Sequence, residues 1–340
     1  MWIIQARSEP LDTPVLDFVA RQAHNQRWSA ALVAAFILFF LFIGAAIDYL
    51  YFDAFTAAGP ALPIATIFSL GLATLSTLTA YYGGSDIILS SLGAQKLNLQ
   101  IPEHRELQNI VTEMALASGS AMPRIFVIFD PAPNAFATGT NERNAAICVT
   151  TGLLTLLGRE ETQGVVAHEI SHIRNEDILL MTLVSILLGG IAILADWGRR
   201  GFYSSRTGQR LGKMNLLLFI PLIVLIALSP LIARLLAMAV SRQREYLADA
   251  TAAQYTRNPR GLAQALERIR DGAMPFHKAT RGTAHLFFVN PLRRRVDERD
   301  GKLADWLASH PPIERRIALL YRMAGLAQSA FQSTKVRMVQ

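Results

Sequence analysis

Twenty consecutive residues without a charge, Trp28 to Ile47, set the first condition on this chain. At about 1.5 Å per residue, a helix of that length matches the roughly 30 Å hydrocarbon core of a bilayer. Only a helix or a closed barrel satisfies its own backbone there. A second uncharged run, Pro60 to Tyr82, follows after a short connection, so the two read as a transmembrane hairpin. Ile178 to Leu194 is a third apolar run, and Leu216 to Val240, with Pro221, Pro230 and Arg234, is a fourth. The expected fold is therefore a mainly α integral membrane protein with up to four transmembrane helices. Composition agrees: 51% of the 340 residues are hydrophobic and 17% charged, and the mean hydropathy is +0.28. An ordinary soluble domain is less apolar.

These runs divide the chain into a polar tail at 1–27, with Thr13 and Pro14 as a helix start, the hairpin at 28–82, a water-facing part at 83–177, a second hydrophobic hairpin at 178–240, and a second water-facing part at 241–340. The connection Asp48 to Gly59 holds two aspartates and no Lys or Arg, which places it outside and both ends of the first hairpin inside. Gly198 to Met214 carries Arg199, Arg200, Arg206, Arg210 and Lys213. Four full crossings would put this basic loop on the outer side. Either the second pair crosses against its charge bias or it inserts partially; both arrangements keep the water-facing parts on one side. The net charge of +7 and pI near 9.8 fit basic flanks on an anionic lipid surface, and no nucleic-acid motif is present. Cys148 is the only cysteine, which rules out an intrachain disulfide and favours a reducing compartment.

The chemistry-bearing stretch is VVAHEISHIRN, Val165 to Asn175. The charged segment Arg159 to Thr162 precedes it like a first helical turn, and Val165, Val166 and Ile170 supply an apolar face. On a helix, His168 and His172 fall on one side about a turn apart, where two imidazoles can grip one Zn²⁺. Glu169 lies beside them as a general base for hydrolysis. The pattern also occurs by accident in long chains. A third ligand six residues after His172, as in metzincins, is excluded by Asn175 and Ile178. Farther along, SRQREYLADA (Ser241 to Ala250) sets Glu245 and Asp249 four residues apart on a predicted helix. Glu245 can ligate while Asp249 accepts the free N–H of a ligand imidazole. The alternative is a solvated helix face with Arg242 and Arg244 as ion partners.

Around this core, His104 to Ser118 has the apolar spacing of a packing helix. Arg124 to Asp130 and Ala145 to Thr150 read as strands, with PNAFATG (Pro133 to Gly139) between, and together they suggest a β-hairpin. A strand edge beside a hydrolytic helix can hold an extended peptide, which makes Asn134, Ala135 and Phe136 candidate substrate contacts. A purely structural hairpin is the competing reading. Helical pattern continues through Leu262 to Ile269, Asn290 to Lys302 is a charged loop, and Pro311 to Met323 is a final amphipathic helix.

In this order PNAFATG, TTGLL (Thr150 to Leu154), VVAHEISHIRN, REYLADA and SHPPIERRI (Ser309 to Ile317) resemble the HtpX-like membrane zinc metalloproteases, relatives of the CAAX prenyl endopeptidases. The resemblance implies a gluzincin-type endopeptidase in which His168, His172 and Glu245 bind one Zn²⁺, Glu169 is general base and acid, and Asp249 orients a ligand. It also implies that His310 and Arg316 help bind substrate or the oxyanion, and that the PNAF strand holds the peptide. The expected setting is a bacterial-type inner membrane with the site on the cytoplasmic side. Expected partners are polypeptides, misfolded membrane proteins among them, and the lipid bilayer, with no nucleic acid. His277 and His285 match none of the motifs.

Two other metal enzymes are weighed. A site-2-type intramembrane protease needs its Asp-Gly in a spanning helix, but Asp271-Gly272 and Asp300-Gly301 lie in polar segments. A di-iron site needs a second ExxH. A non-catalytic membrane scaffold with a relict metal site is the remaining alternative, against which the intact Glu169 speaks.

Overall fold

The computed structural model describes residues 18–51, 62–187, 242–272, 274–276, 283–289 and 311–325. The tail start at Thr13, the fourth apolar run, the basic loop at 198–214, His277, the charged loop at 290–302 and His310 lie outside them.

Helix α1 (Phe18–Tyr51) and helix α2 (Ile64–Ser91) form an antiparallel pair. Gln22–Tyr49 and Ile64–Ser91 are each long and apolar enough to cross a membrane. Their outward residues Leu38, Phe42, Phe68 and Leu75 are exposed, as lipid-facing side chains are, while Leu32, Phe36 and Phe40 are buried. The pair is locked near its far end. Buried Asp48 accepts from the backbone N–H of Ala65 and Thr66 (3.0 and 2.7 Å) and from Thr66 Oγ1 (2.7 Å), satisfying donors that the first turn of α2 leaves open. Gly44 permits the close approach, since a Cβ there would lie 2.6 Å from Thr66 Cα. The aspartate thus has a structural use besides its part in the charge pattern.

The water-facing part is built on a small sheet. Strand β1 (Gln95–Lys96), helix α3 (Pro102–Ser118), strand β2 (Arg124–Ile128), strand β3 (Ala135–Thr138) and strand β4 (Ala146–Thr150) follow one another, and the sheet order is β1-β2-β4-β3. The expected hairpin of Arg124–Asp130 with Ala145–Thr150 is corrected here. β2 and β4 pair in parallel (Phe126 opposite Cys148), and the antiparallel partner of β4 is β3 (Phe136 opposite Cys148). Strand β4, AICVT, is buried along its whole length because it runs centrally and both faces are covered. Val127, Ala137, Ile147 and Val149 face the core formed with α3 and the helices below; Phe126, Ile128, Phe136 and Cys148 face the C-terminal end of α2 (Ile88, Leu89, Leu92) with Phe276 and Phe287. Cys148 is a buried core residue, as expected, and burial pushes its thiol well above the usual range.

After the short helix α4 (Thr151–Leu156), helix α5 (Arg159–Arg174) carries the HExxH pattern and is buried from Gly164 to Ile173. Gly164 lets the neighbouring chain cross closely; a Cβ there would lie 2.9 Å from Leu262 Cα. The third apolar run does not continue α5. α5 ends at Arg174, Glu176 adopts a left-handed φ of 57°, and helix α6 (Asp177–Leu187) sets off anew. Likewise the helical pattern from 241 to 269 is two helices, α7 (Arg242–Thr256) and α8 (Pro259–Asp271). They are separated at Arg257 (φ 52°) and Asn258, whose side chain caps α8 through Gly261 N–H at 3.1 Å. Helix α9 (Ile313–Met323) closes the described chain and packs on α8.

Candidate metal centre

α5 presents His168 and His172 on one side, one turn apart, with ring centroids at 4.8 Å. Across from them α7 presents Glu245. The two Nε2 atoms stand 3.1 Å apart, and the Glu245 carboxylate oxygens lie 3.7 Å from each. All three side chains are buried, and their ligand atoms lie within 4.8 Å of one another. Donors held about 2.1 Å from a tetrahedral Zn²⁺ sit roughly 3.4 Å from each other, so the spacing of this set suits such an ion.

The far side of each ring fixes which nitrogen is available. His172 Nδ1 lies 2.9 Å from Asp177 Oδ2, and His168 Nδ1 lies 3.0 Å from Asp249 Oδ1. A carboxylate at Nδ1 holds the proton there and turns the Nε2 lone pair toward the pocket. Two such lone pairs facing each other at 3.1 Å repel unless a cation or a proton lies between them. The donor set therefore fits a metal on its own chemistry.

Arg316 of α9 is buried behind the His168 side. It grips Asp249 with two bonds (Nε to Oδ2, 2.8 Å; Nη2 to Oδ1, 2.7 Å), approaches Glu245 Oε2 at 3.5 Å, and donates to Phe288 O at 3.3 Å. Its guanidinium lies over the Phe288 ring, 4.8 Å from the centroid, and that ring also meets His168 edge-on. These contacts aim it at the carboxylates that support the site.

Electrostatics separate the two imidazoles. Burial, joined by the charge of Arg316, holds His168 down at about 4 against the pull of Asp249. His172 is opposed by burial, yet Asp177 and the Glu245 charge carry it up to about 9. Burial raises Glu169 to about 7, although it accepts the Ala137 backbone N–H. The Arg316 guanidinium keeps Asp249 below the usual carboxylate range in spite of burial.

The expected peptide strand is placed beside this site but its edge is taken. Phe288 N–H donates to Ala135 O at 2.8 Å, and the Asn134 amide pairs with Val289 in both directions (Nδ2 to O, 2.8 Å; N to Oδ1, 3.2 Å). Phe136 points its ring into the core against Phe287, 5.1 Å between centroids. Residues 287–289 thus lie along β3 as an internal strap. His285 is buried and bonds to Ser185 Oγ and Met181 O, away from the cluster.

Sequence reasoning missed Asp177 and Phe288. A signal for Asp177 existed: an acid five residues beyond the second histidine reaches its ring if the helix breaks between them, as the left-handed Glu176 makes it do.

Residues 102–324 match the family model described as Peptidase family M48. A protein named Protease HtpX homolog from Caldanaerobacter subterraneus subsp. tengcongensis is 46% identical over 250 residues, 71% of this chain and 79% of that protein. One of the same name from Thermoanaerobacter pseudethanolicus is 42% identical over 303 residues, 88% of this chain and 95% of that protein. The crystal structure of S. mikatae Ste24p aligns with a TM-score of 0.47 at 19% identity, covering 89% of this chain and 67% of that one.

Proposed function

The chain belongs to peptidase family M48 and is HtpX-like, and on that premise we propose that it is a membrane-bound, zinc-dependent endopeptidase of the gluzincin type. The single observation that carries this reading is the buried convergence of His168, His172 and Glu245, each imidazole backed by its own carboxylate.

His168, His172 and Glu245 would hold the ion. When bound, zinc supplies Lewis-acid chemistry, polarising the peptide carbonyl and making water acidic enough to attack near neutral pH. Glu169 takes the proton from the attacking water and passes it to the departing amine. Its burial suits that double use, because a carboxyl with a pKa near 7 both accepts and releases a proton at working pH. Asp249 and Asp177 hold the imidazole tautomers, and Arg316 positions Asp249 and Glu245. His310 is assigned to substrate or oxyanion binding on the family motif alone.

The substrate is a polypeptide that adds to the edge of β3 at Asn134, Ala135 and Phe136 through main-chain bonds, replacing the strap at 287–289. The helices α1 and α2 anchor the enzyme in a bacterial-type inner membrane. On the sequence pattern alone, the apolar runs within 178–240 are assigned to a second hydrophobic hairpin, for up to four spans, with the metal site on the cytoplasmic side. Membrane proteins that have lost their fold are assigned among the substrates, in a quality-control role, on the family resemblance.

Replacing Glu169→Gln tests the chemistry. The variant should retain one zinc per chain and lose cleavage of an unfolded polypeptide by at least about a hundredfold. Cleavage at the wild-type rate in a preparation free of other proteases would overturn the reading.

A further inference from the structure

The first membrane helix reaches the metal pocket. Gln22, Asn25 and Gln26 are three and four residues apart, so they share one face of α1. All three amides point at the turn between α5 and α6. Gln22 Nε2 donates to Arg174 O at 2.8 Å, Asn25 Nδ2 to Asn175 O at 2.9 Å and to Asp177 Oδ1 at 2.7 Å, and Gln26 Nε2 to Glu176 Oε2 at 2.8 Å. Every acceptor is a carbonyl or a carboxylate, so the amide nitrogens must face it whichever way the side chains are assigned.

Asn25 differs from its neighbours in where its bond leads. It is 4% exposed, and it holds the carboxylate whose other oxygen accepts from His172 Nδ1. The ring's Nε2 then faces His168 and Glu245 across the pocket. Amide, carboxylate and imidazole form one unbroken line from the membrane helix to the metal ligands. Arg244 of α7 also faces Asp177, Nη1 lying 3.6 Å from Oδ1. A neutral amide is well suited to the closer position. It fixes the carboxylate without neutralising it, which leaves Asp177 a strong acceptor for the ligand's N–H.

We propose that Asn25 is a positioning residue for the metal ligand His172, so that the inner end of α1 forms part of the metal site's support as well as anchoring the enzyme. The retention of metal then depends on α1 being seated against the turn at Arg174–Asp177. This rests on the zinc reading above, and the experiment separates the two.

Zinc affinity of the full chain in detergent is measured by competition with a chromophoric chelator, and the Co²⁺-substituted protein gives a visible spectrum that reports ligand geometry. Asn25→Ala should weaken affinity about tenfold, the low end for partners that support a ligand from behind, and should shift the Co²⁺ bands. Gln26→Ala, which removes an exposed bond to the same turn but none to Asp177, should leave both unchanged. Should Asn25→Ala fail to fold, Asn25→Ser withdraws the amide while keeping a polar group and carries the same expectation. Wild type without stoichiometric metal overturns the zinc reading itself. Wild type with metal, and an Asn25 variant with the same affinity and bands, overturns this proposal alone.

Discussion

His168 and His172 sit on one helix, face one pocket and each give Nδ1 to an aspartate, yet they are supported from opposite ends of the chain. Behind His168 stand Asp249 and the buried Arg316, from α7 and α9, an ion pair with two parallel bonds. Behind His172 stands Asp177, steadied by the neutral Asn25 of α1. Burial, joined by the Arg316 charge, holds His168 low, whereas Asp177 and the Glu245 charge carry His172 up against burial, with Arg244 lying 3.6 Å from Asp177. Equal geometry at Nδ1 therefore does not make equal ligands; burial and the charges around each ring together decide which imidazole must lose a proton before metal can bind.

The most drastic way to break this contrast is Arg316→Leu. It leaves the Asp249 carboxylate buried without its cation, a loss of about 3–5 kcal/mol. Thermal unfolding in detergent should show a large drop, and an unchanged midpoint would mean the pair is not a buried structural one. Removal of the corresponding support on the other side is milder. Asp177→Ala should weaken zinc roughly 10–100-fold with the fold intact, as read by chelator competition; equal affinity would show that His172 needs no partner. The last way to sharpen the contrast is pH. Metal requires neutral imidazoles, and His172 lies near 9 in the metal-free pocket. Zinc affinity should therefore rise by up to about tenfold per pH unit between 7 and 9, then level off. Asp177→Ala removes the bond that raises His172, so it should move that levelling to lower pH, while a flat profile in wild type would contradict the assignment.

What could be read in advance followed the periods of regular structure. The placement of His168 and His172 one turn apart, and of Glu245 with Asp249 on a second helix, needed only 3.6 residues per turn. Arg316 came from a family motif and not from spacing, and its grip on Asp249 was not foreseen. Contacts that depend on a break were hidden. Asp177 reaches His172 because Glu176 turns left-handed, and Asn25 reaches Asp177 across 152 residues of chain. Strand order was hidden for a similar reason. Arg124–Ile128 and Ala146–Thr150 are both apolar and short, and nothing local says that the chain turns back after β3 to place β4 between β3 and β2, parallel with β2. The strap on Ala135 is built from backbone groups, which carry no residue signature.

The central claim is that three side chains from α5 and α7 hold one divalent ion. X-ray absorption at the zinc edge on the purified protein tests it most directly, with Glu245→Ala beside it. The account predicts one zinc per wild-type chain bound by two imidazole nitrogens and oxygen donors, and loss of an oxygen donor together with most of the metal in the variant. Zinc retained in full with an unchanged coordination shell after Glu245→Ala would contradict it.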